Sequence, residues 1–176
     1  MKINRLIVGV LETNCYILEK DGYALIIDPG DESSRIKEAI KDLNLQAILI
    51  THSHNDHIGA LDSLLEEYNI QVLKYDNLVE KNYHIGPFNF EVIYMKGHSN
   101  DLVVFYFKEE KVMFVGDFIF KDSIGRMDLP GGSEIDMYNS LKKLKKYPSD
   151  ITLYPGHGDS TILSYELKNN YYLKNI

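Results

Sequence analysis

One stretch constrains this chain more than any other. In Thr51-His52-Ser53-His54-Asn55-Asp56-His57, three imidazoles and a carboxylate fall within six residues, directly after the apolar run Gln46-Ala47-Ile48-Leu49-Ile50. A short run of that kind reads as a buried strand. His52 and His54 are two apart in the extended chain leaving it, so both rings project to one side. Asp56 and His57 follow as the chain turns into the next helix and face the same cavity from another angle. Packed together without a cation, these groups would concentrate polar atoms with no common partner. Imidazole nitrogen and carboxylate oxygen suit zinc, and also iron or manganese.

Three later stretches repeat the arrangement. Gly97-His98-Ser99 follows a predicted strand at 88–95, Gly116-Asp117 follows one at 112–115, and Pro155-Gly156-His157-Gly158-Asp159 follows one at 151–154. Each donor sits just past a strand, beside a glycine that permits a tight turn, as a site along one sheet edge requires. His84, in the loop-like Tyr83-His84-Ile85-Gly86-Pro87-Phe88, lacks that context and is expected on the surface. The only cysteine, Cys15, lies far from every motif and is expected as a packed strand residue. Its solitude excludes an intramolecular disulfide and a thiolate zinc cluster, and it fits a reducing cytoplasm. A site without thiolates reads as open rather than as a closed structural zinc site.

At 176 residues the chain is expected to form a single domain, 1–176. Predicted strands at 3–8, 14–19 and 23–28 open it, with a turn at Lys20-Asp21-Gly22. A helix over 34–43 follows, capped by Asp31 or Ser33, with Ile36, Ile40 and Leu43 on one face. After the 46–50 strand, Ile58, Leu61, Leu64, Leu65 and Tyr68 predict a helix over 58–68. Strands near 71–74, 88–95, 102–107 and 112–115 come next. Ile135, Tyr138, Leu141, Leu144 and Tyr147 then recur every third residue, predicting a helix, before a strand at 151–154 and a helix over 160–171. This mixture implies a layered α/β or α+β fold. No run is long and apolar enough for a membrane span, and no signal-peptide pattern opens the chain. The net charge of −7 disfavours non-specific nucleic-acid binding, and the Lys142, Lys143, Lys145, Lys146 run reads as a solvated helix face.

Together, THSHNDH, GHS, GD and PGHG resemble the metallo-β-lactamase superfamily, as does NCYILEK…ALIIDPGD near the start. The run FVGDFIFKDSIGRMDLPGGS, and PGHGDSTIL with Asn169-Asn170, resemble its hydroxyacylglutathione hydrolase (glyoxalase II-like) branch. The likeness spans about residues 3–173. It implies an α+β fold, the four-layer αββα sandwich with metals at one edge. It also implies that His52, His54 and His98 bind one metal ion, that Asp56, His57 and His157 bind a second, and that Asp117 bridges them. Two departures stand out. Gly97-His98-Ser99-Asn100-Asp101 replaces the family's GHTPGS, and the C-terminal glutathione-binding helices of two-domain glyoxalase II enzymes have no counterpart here.

The chemistry so implied is hydrolysis. Two divalent ions, zinc first and iron or manganese next, generate a bridging hydroxide that cleaves a small thioester of the S-acyl glutathione kind or a related ester. Asp56 both ligates and orients that hydroxide, as the catalytic residue. The expected substrate is a small molecule, with no nucleic-acid or membrane partner. Alternatives on the same fold are an iron-dependent persulfide (sulfur) dioxygenase, a lactonase or other metallo-hydrolase, and a nuclease, which the acidic balance disfavours. The loop 122–133 either contacts substrate or acts as a connector, with Arg126 and Asp128 able to pair within it.

Overall fold

The computed structural model describes residues 1–176. One sheet is laid down in chain order: β1 (Lys2–Val8), β2 (Thr13–Lys20), β3 (Tyr23–Ile27), β4 (Asn44–Leu49) and β5 (Gln71–Leu73). β1, β2 and β3 form an antiparallel meander, whereas β3, β4 and β5 run parallel. Parallel pairing requires crossovers. These are supplied by α1 (Ser33–Ile40) after β3, and by α2 (Asn55–Ile58) and α3 (Leu61–Leu65) after β4. Next come β6 (Asn82–Ile85), β7 (Phe88–Tyr94), β8 (Val103–Phe107), β9 (Val112–Gly116), the small hairpin β10 (Ile119–Phe120) and β11 (Ser123–Ile124), and α4 (Glu134–Leu144). β12 (Thr152–Pro155), β13 (Thr161–Ile162), α5 (Leu163–Asn169) and α6 (Tyr171–Lys174) complete the chain. The second sheet has the order β13-β12-β9-β8-β7-β6.

Alternation along the strands sorts side chains into layers. Tyr16, Leu18, Leu25 and Ile27 face the second sheet, where they meet Phe88, Phe90, Phe105, Phe107 and Phe114. The intervening Cys15, Ile17, Ala24 and Ile26 face outward onto Ile36 and Ile40 of α1 and Leu64 of α3. From the second sheet, Val104, Tyr106, Met113 and Val115 turn away onto Met137, Leu141 and Leu144 of α4 and Leu163 of α5. The result is the expected αββα sandwich. Both sheets are buried on both faces, which is why their central strands are continuous apolar runs. The five inter-sheet phenylalanines each bury about 150–250 Å² of surface, making this layer the main apolar store. Cys15 is fully buried, and burial pushes its thiol well above the ordinary range, so it is a packed and unreactive side chain. No helix is long and apolar enough to cross a membrane.

Several elements depart from the expectations. The 58–68 helix is two pieces, starting earlier at Asn55 and broken between Ile58 and Leu61. The Pro29 carbonyl takes the Ala60 N–H, and the Gly30 carbonyl lies where a Cβ on Gly59 would be, so the β3–α1 turn interrupts the helical ladder. α1 stops at Ile40, and neither Asp31 nor Ser33 caps it: Glu32 occupies the N-cap in a left-handed conformation. α4 buries Met137, Ser140, Leu141 and Leu144, leaving Ile135 and Tyr138 exposed, because its contact stripe follows the 3.6-residue repeat rather than a strict three. The supposed loop at Tyr83-His84-Ile85 is edge strand β6, paired antiparallel with β7 across Gly86-Pro87; His84 is exposed there beside Asn89. The 160–171 helix begins only at Leu163, since Thr161 and Ile162 first pair with β12. Of the basic run, Lys143 pairs with Glu80, and Lys145 donates to the carbonyls of Leu173 and Ile176.

Candidate metal centre

β7 and β8 are antiparallel, β8 and β9 are antiparallel, and β9 and β12 are parallel, so β7, β9 and β12 all end at the same edge of their sheet. His98, Asp117 and His157 follow those three strands, and His52 follows β4 of the facing sheet. Topology thus converts donors more than a hundred positions apart in sequence into one cluster (52 to 157). Their atoms fall into three overlapping groups: His52, His54 and His98; His52, His57 and Asp117; and Asp56, His57 and His157. All seven sequence-predicted donors therefore lie together, and His84 lies apart.

The rings are oriented from behind, and each partner fixes a tautomer. Asp28 Oδ2 accepts from His57 Nδ1 at 2.9 Å, the Arg126 carbonyl accepts from His98 Nδ1 at 2.8 Å, and the Leu11 carbonyl accepts from His157 Nδ1 at 3.0 Å. Thr51 Oγ1 donates to Asp28 Oδ2 at 2.6 Å, which leaves its lone pair to accept from His52 Nδ1 at 3.1 Å. Four histidines therefore turn Nε2 toward the cluster, and His54 turns Nδ1. His54 Nδ1 is 3.1 Å from His52 Nε2 and 3.0 Å from His98 Nε2. With the opposite nitrogens of His52 and His98 turned to acceptors, their Nε2 atoms and His54 Nδ1 face one point, as three imidazole donors to a cation would.

The other half is carboxylate-rich. Asp117 Oδ1 lies 3.4 Å from His57 Nε2, and its Oδ2 lies 3.6 Å from His98 Nε2 and 3.5 Å from His157 Nε2. Asp56 Oδ2 lies 3.2 Å from His157 Nε2 and accepts from Thr13 Oγ1 at 2.9 Å. His57 Nε2 and Asp117 Oδ1 are buried without any hydrogen-bond partner, and a cation held by both would satisfy them. Desolvation by burial favours the neutral form of both Asp117 and His57, but the facing opposite charges outweigh it. Asp117 stays far below the usual carboxylate range, and His57, beside Asp28 and Asp117, is raised to about 10. His157 is raised to about 10 by Asp117 and Asp56, and hydrogen bonding from His157 holds Asp56 low. His52 and His98 are shifted down, chiefly by desolvation. The site thus pairs a triad of imidazoles with a half built from two imidazoles and two carboxylates, a donor set that fits divalent cations.

Gly156 makes room for this cluster. A Cβ there would run into Asp117 Oδ1 and stand 2.6 Å from His57 Cε1. Gly156→Ala is therefore expected to lower metal stoichiometry sharply while leaving the folded content unchanged. Metal analysis beside circular dichroism checks this, and full loading of the variant would contradict the geometry.

Sequence reasoning missed the residues behind the donors: Asp28, Thr51, Thr13 and the Arg126 carbonyl. Asp28 left one signal in the chain, an acid at a strand end before Pro29-Gly30; its left-handed φ of 51° is visible only in the structure. The 122–133 loop serves the site through its main chain, while Arg126 and Asp128 form an exposed bidentate pair with both contacts at 2.7 Å.

This edge-mounted cluster on an αββα sandwich defines a class of metallo-hydrolases. The sequence model of the Metallo-beta-lactamase superfamily matches residues 8–82 and 79–157, and the chain belongs to that superfamily. It is similar to the "Probable metallo-hydrolase YqgX" of Bacillus subtilis (34% identical, covering 98% of each chain). It is also similar to "Hydroxyacylglutathione hydrolase GloC" of Haemophilus influenzae (30% identical, 98% of each). Among solved structures, TTHA1623 in a di-iron-bound form superposes with a TM-score of 0.90 at 31% identity, covering 97% of this chain and 100% of that one.

Proposed function

We propose that this metallo-hydrolase cleaves a small thioester with two divalent cations. His52, His54 and His98 would hold one, Asp56, His57 and His157 the other, and Asp117 both. The observation that carries the reading is the convergence of one ring nitrogen from each of five histidines and two carboxylates, with His57 Nε2 and Asp117 Oδ1 buried and unpartnered. When bound, such cations polarise a carbonyl oxygen and lower the pKa of a water from 15.7 to about 7.

The chain's own groups do the rest. Asp28 and Thr51 fix the rings of His57 and His52, and the Arg126 and Leu11 carbonyls fix those of His98 and His157. Asp56 is the proposed catalytic residue: half-buried and steadied by the Thr13 hydroxyl, its carboxylate accepts a hydrogen bond from the attacking water and aims it. Cys15 is sealed in the core, which removes it as a nucleophile, and the proposed attack is by water without an acyl-enzyme. The named activity of the H. influenzae relative supports a thioester, and the net charge of −7 supports a small substrate over nucleic acid, in a reducing cytoplasm.

Metal analysis followed by assay tests this reading. The purified chain is expected to carry two equivalents of zinc, iron or manganese. It should release free thiol from S-lactoylglutathione or another thioester, lose that activity to a chelator, and regain it on metal return. A metal-replete protein inert to thioesters but active on a lactone or a β-lactam, or one that consumes oxygen with a persulfide, would replace this reading.

A further inference from the structure

The start of β2 sends two neighbouring side chains to opposite faces of its sheet, and each reaches a different member of the ligand cluster. Thr13 Oγ1 donates to Asp56 Oδ2 at 2.9 Å, on the α2 side. Asn14, 1% exposed, crosses instead to the loop after β12 that carries His157. Its backbone N–H donates to the Gly156 carbonyl at 2.7 Å, and its Nδ2 donates to the carbonyls of Pro155 at 3.0 Å and Gly158 at 2.8 Å. One residue thus holds the chain on both sides of His157. Gly156 and Gly158 flank that histidine, so its backbone has little stiffness of its own and needs a hold from outside.

The hydrogen bonding of the Asn14 amide shows what it is for. Nδ2 uses both of its protons on the loop, whereas Oδ1 is buried with no hydrogen-bond partner. A buried acceptor left empty is destabilising, so packing alone does not favour an amide here; its two donors do. Tyr16 Oη, two residues on along the same face, adds a donor to the Pro155 carbonyl at 2.6 Å, and Arg5 of β1 adds one to the Gly158 carbonyl at 2.8 Å. These contacts all go to the His157 side. His52 is backed by Thr51 and His98 by the Arg126 carbonyl, and the Gly97 carbonyl accepts from the Ser133 N–H at 2.8 Å.

We propose that Asn14 is a positioning residue for His157, and that Thr13 and Asn14 together govern the affinity of one half of the centre alone. Asp56 follows the first sheet and His157 the second, so the 3.2 Å between Asp56 Oδ2 and His157 Nε2 is a distance between sheets. The two neighbouring residues of β2 fix both ends of it. The cation assigned to Asp56, His57 and His157 therefore depends on Asn14, and the one assigned to His52, His54 and His98 does not. This rests on the two-cation reading above, and the test separates the two.

Zinc titration against a chelator of known affinity, with amide exchange of the metal-free protein, forms the test. Wild-type protein is expected to take two equivalents. Asn14→Ser should bind one of them within about threefold of wild type and the other about 10–100-fold more weakly, the range for losing an outer partner of a metal ligand. Asn14→Asp, which turns a second oxygen toward the Pro155 and Gly158 carbonyls, should lie at the far end of that range. Ile40→Ala, a buried change on α1 away from the cluster, should lower the melting temperature and leave both affinities unchanged. The Gly156 N–H donates to the Gly116 carbonyl at 2.9 Å and should exchange at least about tenfold faster in Asn14→Ser. The Gly125 N–H, which donates to the Phe118 carbonyl behind His98, should keep its rate. A wild type that takes fewer than two equivalents, with faster exchange in Asn14→Ser confined to the His157 loop, would retire the two-cation reading and leave Asn14 as the hold on His157. Two equivalents weakened alike or not at all in both Asn14 variants, or unchanged Gly156 exchange, would overturn the role of Asn14 and leave the two-cation reading standing.

Discussion

Asp117→Ala is expected to leave a folded protein that holds at most one metal equivalent and hydrolyses thioesters at least about 10³-fold more slowly, well beyond the 10–100-fold typical of losing an outer partner of a metal ligand. The reason is position. Asp117 follows β9 and turns one oxygen toward His57 and the other toward His98 and His157, so one side chain faces both halves of the cluster. Without it, the proposed cations lose their shared anionic donor, and mutual repulsion between two dications in a buried pocket is less compensated. Asp117→Asn keeps the shape and one good acceptor but not the charge, and is expected to fall between wild type and alanine. Metal analysis after identical loading, a free-thiol assay and circular dichroism form the measurement. His84→Ala, on exposed edge strand β6, serves as the control and should match wild type. Normal turnover with normal metal content in Asp117→Ala would remove Asp117 from the centre and the two-cation arrangement with it.

Asp28→Ala is expected to cost about 3–5 kcal/mol of stability, the scale for removing one partner from a buried ion pair, and to weaken metal binding by about 10–100-fold. Asp28 is 2% exposed and accepts from the Thr51 N–H at 2.7 Å, the Thr51 hydroxyl at 2.6 Å and His57 Nδ1 at 2.9 Å. Its removal strands three buried donors and frees the His57 ring to rotate. At about 2–4 °C per kcal/mol for a chain of this length, the melting temperature of the metal-free protein should drop by roughly 10 °C. Asp28→Asn retains one acceptor but turns an amide N–H₂ toward either Thr51 or His57, so it should recover only part of either property. Thermal melts of the metal-free protein and competition with a chelator of known affinity separate the two effects. An unchanged melting point together with unchanged affinity would show that Asp28 does not hold the site.

Much of this was legible in the chain because it is locally encoded. Strands buried on both faces must be apolar throughout, so stretches such as Ala47–Ile50 and Val103–Phe107 announce themselves. The donors were legible because they concentrate at strand ends beside glycines. Less was visible where a neighbour decides the outcome. The three-residue recurrence in α4 pointed to Ile135 and Tyr138, yet the helix buries Met137, Ser140, Leu141 and Leu144, and Met137 packs so close to the Gly97 backbone that a Cβ on Gly97 would stand 2.5 Å from Met137 Cα. The break after Ile58 likewise comes from the carbonyls of Pro29 and Gly30, which no pattern within 58–68 reveals.

The sequence by itself determined the donor types, the strands that deliver them and the apolar runs that stack as a sandwich, because side-chain direction along a single element follows from its repeat. Tertiary structure alone decided which nitrogen each histidine offers, that Asp28 and Thr51 stand behind His57 and His52, and that the Arg126 carbonyl stands behind His98. Those relations join segments that come from different elements. Their approach is set by how two sheets and their helices pack, and packing is a property of the whole chain that no local spacing contains.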